Sequence, residues 1–232
     1  MKKITILLTA LLCLSFVSFG QGTGTKAGIS FQFGGILPMG EFHAQPTGLP
    51  IVGVIPGINS FEHNGGAMFG ASFGVKYTYS FQNTKMENSG LGIFVSADGM
   101  WNALNKDLRD KYDDWHKTKP MYVNVPIMAG ASYTTTFSDV FGIWVEAGLG
   151  ADLFFKTPEG TEDMLTKYKM SPEFAFEAGA GILLVRTVSL GAHYYWLGSH
   201  NVMVKEGSLF ENSQPSYPMN IGVWAFKVGF HF

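Results

Sequence analysis

Apolar residues recur at every second position along eight segments of the chain, and small or polar residues fill the positions between them. Segment 67–81 shows the pattern, with Phe69, Phe73 and Tyr77 in one phase and Lys76 in the other. Because successive side chains of a β-strand point to opposite faces, each segment is predicted to be a strand with one apolar face. The predicted strands are 26–36, 67–81, 89–102, 119–134, 140–155, 171–185, 188–199 and 218–232.

The two faces of the predicted strands differ in polarity. The apolar faces carry no charged residue in any of the eight strands. An apolar outside around a polar inside is typical of a transmembrane barrel, whereas a soluble sandwich or lipocalin would turn its apolar face inward. The opposite faces carry many glycines and a candidate polar network of the lumen, formed by Lys76, Asp98, Asn124, Glu146, Asp152, Glu177, His193 and Lys227.

The connections between the predicted strands alternate between long and short without exception. In chain order they are 37–66, 82–88, 103–118, 135–139, 156–170, 186–187 and 200–217. Outer-membrane barrels have long extracellular loops and short periplasmic turns, and an even number of strands places both chain ends on the periplasmic side. The predicted fold is therefore all-β, an eight-stranded antiparallel up-and-down transmembrane β-barrel.

The first 20 residues have the pattern of a cleaved secretory signal peptide. Lys2 and Lys3 precede an uncharged apolar run, and Ser18 and Gly20 are small residues suited to cleavage before Gln21. An N-terminal membrane anchor is the alternative, but the run 4–19 is shorter than the about 20 residues that a spanning helix needs. The predicted organisation is a signal peptide, 1–20, and one barrel domain, 21–232, located in the cell outer membrane.

Composition agrees with a lipid-facing surface. Charged residues make up 15% of the chain, against about 25% in ordinary globular domains. Glycine is enriched, with 29 residues, and phenylalanine is frequent, with 20. The formal net charge of −2 gives no support for a nucleic-acid partner, which would require a basic surface.

Several motifs resemble those of small bacterial outer-membrane barrels. The segment Tyr122–Ile127 resembles the Tyr-x-x-Ile/Val-Pro-Leu strand of PorT-like proteins, and Glu146–Gly150 and Ala178–Gly181 resemble their glycine-rich strands. This family is related in architecture to the eight-stranded barrels OmpX and the OmpA N-terminal domain. The resemblance implies an integral outer-membrane barrel over nearly all of 21–232. Its degenerate motifs specify the fold far better than the role.

The last predicted strand ends in alternating aromatics. This ending resembles the insertion signal of bacterial outer-membrane proteins, and the resemblance implies the barrel-insertion machinery as a partner during assembly. An ordinary C-terminal edge strand is the alternative. The candidate signal residues are Trp224, Phe226, Phe230 and Phe232.

The interior of an eight-stranded barrel is about wide enough for side chains to fill it, so the inward charges are predicted to neutralise one another in a packed core. A narrow proton or ion path, or a small-ligand site, is the alternative. From the strand directions, Asp98 and Asp152 are placed toward the extracellular end and Lys76 and Lys227 toward the periplasmic end.

A lipid-modifying outer-membrane enzyme is the least favoured alternative, and no catalytic, cofactor or metal site is predicted. The sequence lacks a G-x-S-x-G elbow, an H-E-x-x-H motif and a phosphate-binding loop. His63, His116 and His200 fall in three separate predicted loops, and Ser199 precedes His200. Scattered histidines of this kind do not form a recognisable catalytic set.

The predicted loop 37–66 contains an apolar stretch that is unusual for an exposed segment. Exposed apolar patches often mark binding sites. The alternatives are folding back over the barrel mouth or an extra short hairpin. Two functions are therefore predicted: a structural or interaction role through extracellular loops, or a transport or secretion component. The candidate partner-binding residues are Leu49, Ile51, Val52, Val54 and Ile55.

Overall fold

Eight long strands form nearly all of the part of the chain that the structure describes. The structure is a computed structural model that describes residues 26–43, 66–82, 89–104, 121–138, 140–156, 172–184, 187–203 and 216–232. The strands are β1 Lys26–Met39, β2 Ala67–Gln82, β3 Ser89–Leu104, β4 Met121–Thr136, β5 Phe141–Lys156, β6 Pro172–Leu184, β7 Val188–Met203 and β8 Ser216–His231.

The strands form one closed barrel in which each strand is antiparallel to the next. The barrel closes where β1 pairs with β8, from Ser30 opposite His231 to Met39 opposite Gly222. Backbone hydrogen bonds between Ile29 and Phe232, 2.8 and 3.1 Å long, extend this seam. The predicted fold class is confirmed, and the predicted strand bounds differ from the observed ones by a few residues.

Apolar side chains cover the outside of the barrel. Phe69, Leu91 and Leu149 are each more than half exposed, and inward-facing neighbours such as Lys76 are buried. Aromatic rings pack against one another across adjacent strands on this surface, as Tyr194 does with Trp224 at 5.4 Å. A closed sheet with an apolar outside satisfies the two requirements for crossing a bilayer, paired backbone groups and a lipid-compatible surface.

The two ends of the barrel differ in the length of the connections between strands. We call the end that holds Lys26 and Phe232 the near end, and the opposite end, where β1 finishes and β2 begins, the far end. The short connections 83–88, 137–140 and 185–187 lie at the near end. The long connections lie at the far end, in agreement with the predicted alternation.

A helical turn at the far end corrects the predicted loop 37–66. β1 continues to Met39, and Gly40, with φ of 58°, leads into the short helix α1, Gly40–His43. Phe42 is fully buried, and its ring centroid lies 5.3 Å from that of Tyr122. An apolar ring at this position gains more from the barrel interior than from solvent, so the chain turns inward here. No helix among the described residues is long and apolar enough to span a membrane.

The interior changes from charged to apolar along the barrel. β7 runs toward the far end, and along it the buried His193 and Tyr195 come before the buried Leu197. β8 runs toward the near end, so Val223 lies nearer the far end than Lys227 does. The charged layer comprises Lys76, Asp98, Glu146, Glu177, His193, Tyr195 and Lys227. The apolar layer, toward the far end, comprises Ile36, Phe42, Met100, Leu197, Ile221 and Val223.

Candidate functional site

The structure places all eight side chains of the candidate polar network inside the barrel. Their relative exposure lies between 0% and 8%. Buried charges are costly unless they are paired and hydrogen-bonded, so their contacts decide what the lumen can do. The residues are Lys76 on β2, Asp98 on β3, Asn124 on β4, Glu146 and Asp152 on β5, Glu177 on β6, His193 on β7 and Lys227 on β8.

The first ion pair of the charged layer joins β2 to β5 across the lumen. Lys76 Nζ lies 2.7 Å from Glu146 Oε2 and donates a hydrogen bond to it. The ammonium group also lies over the rings of Phe94 and Trp144, 5.6 and 5.2 Å from their centroids. Aromatic faces attract a cation, so these rings add to the stabilisation of Lys76.

The second ion pair joins β8 to β3. Lys227 Nζ donates to Asp98 Oδ1 at 2.5 Å, to the Tyr195 hydroxyl at 2.8 Å and to Gln32 Oε1 at 3.4 Å. The Tyr195 hydroxyl in turn donates to Asp98 Oδ2 at 3.4 Å. Sequence reasoning missed Tyr195, although its inward phase on β7 next to His193 was available as a signal.

These contacts correct the predicted depths of two charges. Asp98 was expected toward the extracellular end and Lys227 toward the periplasmic end, yet their side chains meet. Barrel strands are tilted and staggered, so position along a strand does not give height in the barrel directly.

A third group brings together two carboxylates and a histidine. Glu146, Glu177 and His193 lie on three consecutive strands, and one ligand atom of each lies within 4.8 Å of the others. Glu146 Oε1 is 3.4 Å from His193 Nδ1. The His193 ring lies between Trp144 and Tyr195, with centroid distances of 5.1 and 6.0 Å, and these rings fix its orientation.

A fourth polar pair lies toward the far end, and it corrects the predicted position of His200. That histidine was expected in the loop 200–217, but it lies on β7, is buried, and places Nε2 3.1 Å from Asp152 Oδ2. Its Nε2 is also 2.8 Å from Leu197 O. Asn124 is fully buried, and its side-chain amide has no hydrogen-bond partner among the described residues.

A bulge in β7 explains why His200 points inward. The register with β8 shifts between Trp196 and Ser199, and Gly198 adopts φ of 83°. An extra residue in one strand reverses the alternation beyond it, and glycine at positive φ is the usual means. Simple alternation from His193 would have turned His200 outward.

The aromatic residues of the predicted insertion signal lie on the outer surface of the barrel, three of them on β8 and Phe232 directly after it. Trp224, Phe226, Phe230 and Phe232 are 38–51% exposed. Their role in insertion stays a prediction. The candidate partner-binding residues Leu49, Ile51, Val52, Val54 and Ile55 lie outside the described residues, as do His63 and His116.

Comparisons with known proteins give structural similarity without sequence similarity. No protein-family model matches the chain. No curated protein matches it in sequence either. Among solved structures it is similar to Neisserial surface protein A (NspA), with a TM-score of 0.49, 8% identity, and coverage of 90% of this chain and 98% of that one.

Two further solved structures are similar over comparable lengths. OprG from Pseudomonas aeruginosa has a TM-score of 0.48 and 15% identity, with 92% of this chain and 98% of that one covered. Ail, the attachment invasion locus protein of Yersinia pestis, has a TM-score of 0.40 and 13% identity, with 91% and 100% covered. Identities at this level transfer no function to this chain.

The architecture itself determines the compartment. The chain forms a closed barrel with an even number of antiparallel strands, an apolar outer surface and a polar interior. Short connections lie at one end and long connections at the other. Single-chain barrels with these properties are components of outer membranes, so the protein is an integral outer-membrane β-barrel.

Proposed function

We propose that this protein is a closed, non-enzymatic barrel that works by holding its far-end loops outside the membrane for a protein partner. The observation that carries this proposal is the filled lumen. Both lysines of the charged layer are neutralised by carboxylates at 2.5 and 2.7 Å, and the described inward side chains of both layers are buried. A lumen packed in this way supports a structural role better than a conducting one.

The apolar layer argues further against conduction. Ile36, Leu197 and Ile221 are fully buried in the far half of the lumen, and Phe42 packs beside Tyr122 above them. An ion that passes among these apolar side chains loses much of its water shell, which is costly, and the buried Asp152 and His200 at the same end are already engaged with each other. The surfaces left for interaction are therefore the ends of the barrel rather than its axis.

The far end offers more chain for binding than the near end. The elements that end there are joined through 44–66, 105–120, 157–171 and 204–215, whereas the near-end connections are only a few residues long. The segment 49–56 contributes Leu49, Ile51, Val52, Val54 and Ile55, the apolar stretch that a partner would cover. The proposed partner is a protein with a complementary apolar surface.

The Asp152–His200 pair does not support an enzymatic role. Ser199 is adjacent to His200, and adjacent residues of a strand project to opposite faces, so its hydroxyl is directed away from the imidazole. His200 itself is buried beside Phe154, with ring centroids 5.1 Å apart. A buried acid–histidine pair that packs against an aromatic ring is consistent with a structural contact.

The proposal is tested by deletion of residues 49–56 and native pull-down from detergent-solubilised outer membrane. We expect a partner to co-purify with the full chain and to be lost from the deletion variant. Deletion of residues 161–168, also eight residues of a far-end connection, is the matched control and should retain the partner. Planar-bilayer recordings of the purified barrel should show no discrete conductance steps.

Two results would overturn the proposal. Discrete ion-conductance steps would show that the lumen is open. A partner from the periplasmic side that is retained by the 49–56 deletion would instead favour a secretion component. That second role is supported by the resemblance of Tyr122–Ile127 to the PorT-like strand motif.

A further inference from the structure

Three consecutive strands direct their ligand-bearing side chains to one buried point. Glu146 of β5 is opposite Gly179 of β6 in the register, and Glu177 of β6 is opposite Gly148 of β5. His193 of β7 is opposite the same Gly179. Each functional side chain therefore lies beside a glycine on the neighbouring strand, and the two glycines create the space into which the three side chains converge.

That space depends on the absence of a side chain at both glycines. A Cβ atom at Gly179 would lie 2.6 Å from His193 Nδ1, and one at Gly148 would lie 3.0 Å from Glu177 Oε1. Real Cβ atoms do not approach ring nitrogens as closely as 2.6 Å, so alanine at Gly179 would push the imidazole away from the two carboxylates. Glycine at these two positions therefore leaves room for His193 Nδ1 and Glu177 Oε1.

Two of the ligand atoms lack hydrogen-bond partners although they are buried. Among the described residues, Glu177 Oε1 and His193 Nδ1 have no hydrogen-bond partner, and both residues are 1% exposed. A buried polar atom without a partner is expensive, and native structures usually provide one. Both residues belong to the group whose ligand atoms lie within 4.8 Å of one another, so one ligand bound between them satisfies both residues.

The charge balance of the layer indicates the sign of that ligand. Two lysines, Lys76 and Lys227, face three carboxylates, Asp98, Glu146 and Glu177. With a neutral histidine, the layer carries one excess negative charge in a buried environment. Asp98 is engaged by Lys227 and one oxygen of Glu146 by Lys76, so the excess charge falls on the space between Glu177, Glu146 and His193.

We propose that Glu146 Oε1, Glu177 Oε1 and His193 Nδ1 bind a divalent transition-metal ion of the zinc class inside the barrel. Zinc accepts mixed imidazole and carboxylate ligands, and three protein ligands leave a fourth position for water. Magnesium and calcium prefer sites made entirely of oxygen atoms, so the histidine selects against them. The other oxygen of Glu146 is held by Lys76 at 2.7 Å, which fixes the orientation of the carboxylate.

The site is tested by zinc binding to the refolded full-length barrel in detergent micelles. Titration calorimetry with zinc chloride should give one ion per chain, and Glu177→Gln should weaken binding by about 100-fold or more, since it removes a charged ligand but preserves shape. Glu173→Gln, a matched change on the same strand, should leave binding unchanged. Heat-dependent electrophoretic mobility of each variant reports whether the barrel has folded.

Cobalt substitution gives a second, independent readout. Cobalt(II) bound to the full chain should show visible absorption bands of a four- or five-coordinate ion with a nitrogen ligand, and His193→Gln should abolish them. Zinc affinity equal in the full chain and in Glu177→Gln would overturn the proposal. A folded full chain that binds no zinc would also overturn the proposal. In that case a proton held between Glu177, Glu146 and His193 would balance the excess negative charge.

Discussion

The charged layer and the apolar layer are built from the same strands in the same inward phase, yet they are held together differently. In the charged layer each lysine has a specific partner, Glu146 for Lys76 and Asp98 for Lys227. In the apolar layer, Ile221 and Val223 are buried among other apolar side chains with no directional contact required. Period-two alternation thus determines most of the residues that face the lumen, but it does not determine which interaction stabilises each of them.

This difference predicts different sensitivities to substitution. A buried ion pair is a poor source of net stability, but the loss of one partner leaves an uncompensated charge and is strongly destabilising. Truncation in an apolar layer costs the transfer of the lost groups and the cavity that remains. The largest losses are therefore expected where a buried charge loses its partner.

Lys227→Met is expected to destabilise the barrel by about 3–5 kcal/mol, because Asp98 and Tyr195 lose their buried cation. Urea unfolding of the barrel in lipid vesicles measures the change. The double variant Lys227→Met with Asp98→Leu removes both charges and should recover part of the lost stability. A single variant as stable as the original chain would show that water, rather than Lys227, satisfies Asp98.

Phe42→Ala is expected to cost about 3 kcal/mol in the same unfolding experiment, because the ring is fully buried against Tyr122 at the far end. Phe137→Ala is the matched control. Its ring is 63% exposed in a near-end turn, so its truncation should cost clearly less. Equal losses for the two variants would contradict the view that burial of the Phe42 ring beside Tyr122 stabilises the barrel.

Gly198→Ala is expected to cost about 1–2 kcal/mol, because alanine is strained at φ of 83°. Its Cβ would also lie 2.8 Å from Phe174 O. Gly90→Ala, whose Cβ would meet only one atom, at 3.4 Å, is the control and should change stability little. If Gly198→Ala does not change the stability, the backbone of the β7 bulge can relax without loss. The inward position of His200 would then not depend on glycine at position 198.

Most of the fold follows from the sequence because the alternation is strong and continuous. Strands such as β2, with Phe69, Phe73 and Tyr77 outward and Lys76 inward, are readable without any long-range information. The inward phase likewise identified the charged side chains of the lumen. Closure of the barrel follows from the need to pair every strand edge in lipid.

The parts that escaped prediction depend on geometry that alternation does not encode. His200 faces inward because of one extra residue at Gly198, and Phe42 is buried because the chain turns back after Met39. The pairing of Asp98 with Lys227 depends on the tilt and stagger of strands that are far apart in sequence. The convergence of Glu146, Glu177 and His193 on the space beside Gly179 depends on the register of β5, β6 and β7, which the alternation within each strand does not give.

The seam between β1 and β8 has a consequence for the order of events during assembly. Ile29 exchanges hydrogen bonds with Phe232, so the first described strand is completed only by the last. Until β8 arrives, one edge of β1 presents a row of unpaired amides and carbonyls, which recruits foreign strands in water and is forbidden in lipid. The barrel therefore cannot close before β8 is in place, and the growing sheet needs a surrogate strand or a sheltered site until its own last strand takes that place.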